Sequence, residues 1–242
     1  MKLFLLRLRK LLYVFTNLLL LKTFLKHRVL GAFEHFYVLN KNYKTVVDIG
    51  ANRGQFSLAA SSLNADAYIF AFEPLLNPSN IFRKVFKNNN KVKIFKAAVG
   101  PIAKREMMHV SAKDDSSSLL KISSMQNELF PGTHEEGLEE VSIAPLDHFI
   151  SSKEISSPGL LKPDVQGFEL EALKGCESLF HRFDHIYCEC SFISLYEGQK
   201  LSSDVISYLN THNYNLTGVY NLLKKPDGEC IQADFLFESR LI

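Results

Sequence analysis

Cysteine is scarce in this sequence: Cys176, Cys188, Cys190 and Cys230 are the only four, with no Cys-x-x-Cys pair and no zinc spacing to a histidine. A reducing cytoplasm is the simplest compartment for such a chain. Long apolar runs are missing as well. In the leucine-rich N-terminus the longest uncharged run, Leu11 to Leu21, would extend roughly 16 Å as helix against a hydrocarbon core of about 30 Å. It is not expected to span a membrane. The small-residue cleavage site of a signal peptide is also lacking, since Lys22-Thr23-Phe24-Leu25-Lys26 follows the run. The eight histidines form no spaced cluster, which argues against a dedicated histidine metal site. No internal repeat is visible. With 46% hydrophobic and 22% charged residues over 242 positions, disordered and collagen-like classes drop out and one α/β core of ordinary size is expected.

Acid is absent from residues 1 to 30, which hold Lys2, Arg7, Arg9, Lys10, Lys22, Lys26 and Arg28 and so carry +7. Against a total of +2, the remainder is left at −5. The body therefore offers no basic stripe for nucleic acid, and no nucleic-acid partner is expected. For the N-terminal segment two readings stay open: a helix packed on the domain, or a helix lying on the inner face of an anionic membrane as a peripheral contact.

What is present centres on Thr45-Val46-Val47-Asp48-Ile49-Gly50-Ala51-Asn52-Arg53-Gly54-Gln55-Phe56. This reads as strand, glycine turn and helix, with the helix over Gln55 to Leu63, and it places a nucleotide-like ligand at the carboxyl end of a parallel strand. Glu73, 25 residues after Asp48, closes a second strand, Tyr68 to Glu73. A carboxylate there can accept from both ribose hydroxyls. Asn52 stands where a Gly-x-Gly-x-x-Gly loop needs its second glycine, so the approach of a pyrophosphate is hindered. S-adenosylmethionine, which has no phosphate, fits better than a nicotinamide dinucleotide.

Along the chain, residues 1–30 form the basic segment, and 31–242 one domain with an antiparallel insertion at about 101–145. A short helix is expected over Ala32 to Leu39, a helix over Ser79 to Lys87, and a third strand over Val92 to Val99. A fourth strand over Leu160 to Val165 leads into a helix from Gln166 to Gly175. A fifth strand covers His185 to Ser191, and a helix from Ser203 to Asn210 precedes two last strands, Leu216 to Tyr220 and Ile231 to Glu238.

Seven motifs then stand in register: Asp48-Ile-Gly-Ala-Asn-Arg-Gly54, Phe72-Glu-Pro74, Ala97-Ala-Val-Gly100, Leu146-Asp147, Lys162-x-Asp-Val-Gln-Gly-Phe-Glu169, Leu173-Lys-Gly175 and Asp234-Phe-Leu-Phe237. In order and spacing they resemble the FkbM-type S-adenosylmethionine-dependent methyltransferases over about residues 45 to 238. The resemblance implies a class I, Rossmann-like methyltransferase fold: a seven-stranded, mostly parallel sheet with helices on both faces and an antiparallel last hairpin. It also implies O-methylation of a hydroxyl on a sugar, glycan or other natural-product-like acceptor. Where family members carry an aliphatic residue in the fourth strand this chain has Pro163, so either the strand frays one residue early or the position is strained.

For the cofactor, S-adenosyl-L-methionine, Gly50 and Gly54 are expected to let the backbone approach closely, with Asn52 in the same loop. Asp48 orients the loop or the methionine amino group, and Glu73 takes the ribose. Asp115 and Ser116 are placed at the adenine, while Arg53 is expected to be exposed. Asp164 is the first candidate to take the acceptor proton, followed by Glu169 and Glu189. The competing role for Asp164 is that of a helix cap, and a hard divalent ion held by Asp164, Glu189 and solvent is a further option. Two other functions are weighed: a non-catalytic, membrane-associated cofactor-binding protein, hinted at by Pro163, and an NAD-dependent oxidoreductase, disfavoured by Asn52 and by the expectation that no Tyr-x-x-x-Lys dyad is present.

Overall fold

β-branched residues dominate Thr45-Val46-Val47, and all five residues of that strand are buried, as befits a central parallel strand covered on both faces. The computed structural model describes residues 18–241. In chain order the elements are α1 (Leu18–His27), α2 (Phe36–Leu39), β1 (Thr45–Ile49), α3 (Gln55–Leu63), β2 (Tyr68–Phe72), α4 (Leu76–Val85), β3 (Val92–Phe95), β4 (Ala98–Val99) and β5 (Lys104–Ser111). Then follow α5 (Ser124–Leu129), β6 (Glu135–Ala144), β7 (Gly159–Pro163), α6 (Glu169–Lys174), β8 (His185–Ser191), α7 (Ser202–Thr211), β9 (Tyr214–Lys224) and β10 (Cys230–Ser239).

The main sheet has the order β3-β2-β1-β7-β8-β10-β9, parallel through β8 and antiparallel in the final hairpin. The strand order reverses between β1 and β7. In open sheets of this kind ligands bind beyond the carboxyl ends of the strands at that point. A second sheet, β4-β6-β5, is formed largely by the antiparallel β5–β6 ribbon.

Several boundaries differ from expectation for local reasons. The strand foreseen over Val92 to Val99 breaks in two, because Phe95 ends its pairing with β2 while Ala98 and Val99 pair with β6 in the other sheet. The helix foreseen from Ser79 starts at Leu76, since Pro78 falls in the first turn, where its missing N–H has no intrahelical partner to lose. α6 starts at Glu169, not Gln166, because Gln166 and Gly167 hold φ of +56° and +95°. Asn64 ends α3 as expected and is fully used. Its Oδ1 accepts from Tyr43 N at 2.8 Å while Nδ2 donates to Leu39 O and Ala60 O.

The described part of the N-terminal segment packs on the domain. Leu20 and Val29 are buried with Ala51, Leu58, Phe82 and Phe86, and Phe24 packs against that cluster. Among the described residues no helix is long and apolar enough to cross a membrane. The expectations for residues 1–17 lie outside the described residues.

Pro163 ends β7, buried and in register with Ile49. Asp164 N donates to Ile49 O at 3.0 Å, so by strand alternation the N–H that Pro163 lacks would face β8. The β7–β8 pairing stops earlier, at Leu161↔Ile186. No ladder bond is lost, and the left-handed residue of the turn is Gln166, not Pro163. Pro163→Ile is therefore expected to change stability by no more than about 1 kcal/mol, by chemical denaturation. A gain well beyond that would restore the strained reading.

Candidate active site

A cleft of about 470 Å³ opens beyond the carboxyl ends of β1, β2 and β7, within the range of small-molecule sites. Of the residues singled out from sequence, Gly50, Asn52, Glu73, Asp115, Ser116 and Asp164 line it. Asp48, Gly54, Glu169 and Glu189 do not, and each has a different reason.

Asp48 is wholly buried. Its Oδ2 accepts from Ser57 Oγ at 2.6 Å and its Oδ1 lies 3.2 Å from Lys162 Nζ. It lies beneath the cleft, held by Ser57 and Lys162. Gly54 holds φ +95°, and a Cβ there would come within 2.9 Å of the Phe82 and Phe86 rings. Its smallness serves helix packing, not ligand approach. Gly50 does line the cleft, yet a Cβ on it would lie 1.8 Å from the carbonyl oxygen of Asp164. The close approach read from sequence is thus made by the protein's own backbone.

Glu169 corrects the expectation that it sits one turn into its helix as a spare base. It is the first residue of α6, 3% exposed, and its Oε1 accepts from Val165 N and Gly167 N, both at 3.0 Å. The turn-securing role weighed for Asp164 belongs to Glu169. Burial, reinforced by the charge of Asp164, pushes its carboxyl up to about 7. Glu189 lies behind the cleft wall, where Gln166 Nε2 and Gln232 Nε2 donate to its two oxygens at 3.0 and 2.7 Å. Burial and the charges of Asp164, Asp234 and Glu169 raise it well above the carboxylate range.

Asp164 keeps a third of its side-chain surface accessible and faces the cleft. Lys162 Nζ sits 3.2 Å from its Oδ2 and Gln166 Nε2 2.9 Å from its Oδ1. Burial would push its carboxyl up, but the Lys162 ammonium and the Gln166 amide outweigh burial and hold it below the usual range. In turn, burial opposes the Lys162 charge and the two carboxylates overcome it, holding the ammonium above the ordinary lysine range. Asp164 is therefore a fixed anion and a weak base. The Gln166 amide fills the place between Asp164 and Glu189 where a divalent ion was considered. Among the described residues no group of three or more His, Cys, Asp or Glu is arranged for a metal.

At the other end of the cleft, Glu73 is 5% exposed. Its Oε2 accepts from Asn52 N and its Oε1 from Leu75 N, both at 2.9 Å. One lone pair on each oxygen is left over. Burial raises the Glu73 carboxyl to about 7. Arg53 is less free than expected: its Nε and Nη2 lie 2.9 and 2.6 Å from Asp114 Oδ2, tying the glycine loop to the turn over Asp114–Ser116.

The carboxyls of Glu73 and Glu169, both raised to about 7, set a pH dependence. A carboxyl whose folded value lies above its unfolded value binds its proton more tightly when folded, so its contribution is full below about 4.5 and is lost as pH rises through about 7. The melting temperature of the ligand-free protein is expected to fall between pH 5 and pH 7.5. A flat profile would mean that neither group titrates in that window.

Residues that sequence reading left unassigned complete the site. Lys162 and Gln166 stood inside a quoted motif, with nothing to say that their side chains turn inward. His35 lines the same cleft from the 3₁₀ turn Phe33–His35, and no spacing announced it. Gln126, 3% exposed, lines the cleft from α5, and its buried Oε1 has no hydrogen-bond partner among the described residues. Contrary to expectation, the Tyr-x-x-x-Lys spacing of a dehydrogenase dyad occurs three times, at Tyr37–Lys41, Tyr196–Lys200 and Tyr220–Lys224, and none of these residues lines the cleft. Tyr196 and Lys200 do not act as one, for the Tyr196 hydroxyl lies 3.1 and 3.0 Å from Ser116 O and Gln166 Oε1 and Lys200 is exposed.

This strand order, with an acidic residue closing β1 and another following β2 around a cleft at the switch point, defines a class I methyltransferase. The chain belongs to the FkbM methyltransferase family: the methyltransferase FkbM domain matches residues 48–216. It is similar to the 2-O-methyltransferase NoeI of Sinorhizobium fredii, 27% identical over 168 residues, covering 67% of this chain and 69% of that protein. It is also similar to the hexuronic acid methyltransferase AglP of Haloferax volcanii, 29% identical over 145 residues, covering 59% and 54%. Among solved structures, the methyltransferase FkbM of Methylobacillus flagellatus superposes with a TM-score of 0.52 at 16% identity, covering 80% of this chain. This chain spans 44% of that longer one.

Proposed function

We propose that the chain transfers a methyl group from S-adenosylmethionine to a hydroxyl of a sugar or glycan acceptor. The carrying observation is the cleft itself. Glu73 stands at one end with spare acceptor capacity, and Asp164, tied to Lys162, is exposed at the other. The residues present suit the cofactor: Glu73 would hold the ribose, and Asn52 and the Asp115–Ser116 turn would flank the adenosine. Once bound, the cofactor supplies a methyl group on a sulfonium, an activated group with a good leaving atom. The protein's part is then to align the hydroxyl and manage its proton.

A protein of the same fold from Streptococcus pneumoniae was solved in complex with S-adenosyl-L-methionine, with a TM-score of 0.51 at 8% identity, covering 87% of this chain and 73% of that one. The name of NoeI points to transfer onto an oxygen, and that of AglP to a sugar-acid acceptor. Asp164, ionised across the working range, suits orienting an acceptor hydroxyl better than deprotonating it.

Titration calorimetry tests the cofactor half. S-adenosylhomocysteine should bind and NAD should not, and Glu73→Ala should weaken binding by about 1.5–3 kcal/mol while the protein still melts cooperatively. Labelled-methyl transfer to extracts split into glycan, lipid and small-molecule pools tests the acceptor. Label confined to lipid without sugar, or no binding of S-adenosylhomocysteine, would overturn the reading.

A further inference from the structure

His35 lies ahead of the span matched to the family, and Asp234 beyond it. The fold brings His35 to the cleft wall, with Asp234 and Tyr187 of β8 beside it. His35 Nδ1 is 2.9 Å from the Tyr187 hydroxyl and 3.6 Å from Asp234 Oδ2. Asn221 Nδ2 on β9 donates to Asp234 Oδ2 at 2.7 Å. The direction of the chain of bonds follows from what each group can do. Asp234 can only accept, and its Oδ2 lies on the Nδ1 side of the ring, while burial and the Asp234 charge raise the Tyr187 phenol. A carboxylate facing Nδ1 favours a proton there, and the Tyr187 oxygen, 2.9 Å away, can accept it. Nδ1 therefore carries the imidazole proton, and Nε2 is the ring nitrogen with a free lone pair. The ring is fixed edge-on against Phe56 at 5.3 Å and Tyr187 at 5.4 Å. Its orientation is set by packing as well as by hydrogen bonds.

We propose that the His35–Tyr187–Asp234 relay makes His35 Nε2 the proton acceptor for the acceptor hydroxyl. This rests on the methyl-transfer reading above. The acceptor's O–H bond breaks, its proton goes to Nε2, and its electron pair forms the new oxygen–carbon bond while the carbon–sulfur bond breaks and sulfur keeps that pair. His35 ends as imidazolium beside the Asp234 carboxylate, which lies in place to stabilise the charge. Glu34 on its own turn and Asp234 favour that charge, as does Asp164. Burial and Lys162 oppose it more strongly, so the resting imidazole is held below the ordinary histidine range. It is neutral at pH 7.5, as a base must be.

The test begins with the unmutated protein. In ¹⁵N-histidine-labelled, ligand-free protein at pH 7.5, nitrogen chemical shifts should report His35 as neutral with Nδ1 protonated and Nε2 bare. Protonation on Nε2 would overturn the proposal whether or not any acceptor is known. With the sugar acceptor found in the labelled pools, His35→Asn should lower kcat about 100-fold or more. It should also abolish the acid limb of the pH–kcat profile and leave KM and the Kd for S-adenosylhomocysteine within about twofold. A kcat within threefold of wild type, or an unchanged acid limb, would overturn it. Tyr187→Phe should shift the His35 tautomer toward Nε2–H, which a purely structural role for the hydroxyl would not do. If no pool accepts label from the unmutated protein, the methyl-transfer reading fails, and the tautomer still decides whether His35 presents a base.

Discussion

Lys162→Met is expected to destabilise the protein by about 3–5 kcal/mol, the loss seen when one partner of a buried ion pair is removed. Lys162 is 6% exposed, and its Nζ is 3.2 Å from both Asp48 Oδ1 and Asp164 Oδ2. Methionine fills nearly the same volume, so the loss would be electrostatic. Asp48, wholly buried, would keep only the Ser57 hydroxyl, and Asp164 would keep only the Gln166 amide. Against a typical stability of about 5–15 kcal/mol, such a loss brings the protein near unfolding. Lys162→Met/Asp164→Asn should recover part of it, because one of the two stranded charges is gone. Equilibrium denaturation of the two variants checks this. A loss under about 1 kcal/mol for the single variant would mean that water reaches the pair and the ammonium contributes little.

Much of the frame was legible in the sequence, for reasons those residues make plain. A run of β-branched and apolar residues and glycine punctuation mark β1, the loop after it and α3, and Gln55 to Leu63 is the helix found. The acidic residues at 48 and 73 are fixed by strand ends, so their neighbourhood follows from register alone. What could not be read was the direction of side chains in irregular backbone. Glu169 and Asp164 are five positions apart in one motif, yet Glu169 folds back onto the turn while Asp164 faces the cleft. That division is set by the left-handed residues Gln166 and Gly167, which no periodicity marks. His35 and Asp234 meet through the pairing of β8 with β10, a long-range contact with no local trace. At Gly50 and Gly54 the atoms that a Cβ would meet are the protein's own, a cause that spacing does not show.

That cause gives the sharpest expectation. Gly50→Ala places a methyl group 1.8 Å from the Asp164 carbonyl oxygen, on a backbone with φ +79°. The conformation alone costs an L-residue about 1–2 kcal/mol. The clash cannot be relieved by a rotamer, because the obstructing atom is backbone. Neither side can easily move: Gly50 N and Ala51 N both donate to Phe72 O, and Asp164 N donates to Ile49 O. Together the strain and the broken bonds should cost about 3–5 kcal/mol, the range kept for strain at a special backbone position. Any folded remainder should bind S-adenosylhomocysteine poorly, since relief must displace either the Gly50–Gly54 loop or Asp164. Two other left-handed glycines calibrate the effect. At Gly54 the obstruction is the Phe82 and Phe86 rings, which can shift, and at Gly228 nothing lies within 4 Å. Denaturation of the three alanine variants should therefore rank the losses Gly50, Gly54, Gly228, with Gly228→Ala near the bare conformational cost. If Gly50→Ala lost no more than Gly228→Ala, the seating of the Asp164 carbonyl against Gly50 would be refuted, and with it the account of why this loop holds its glycine.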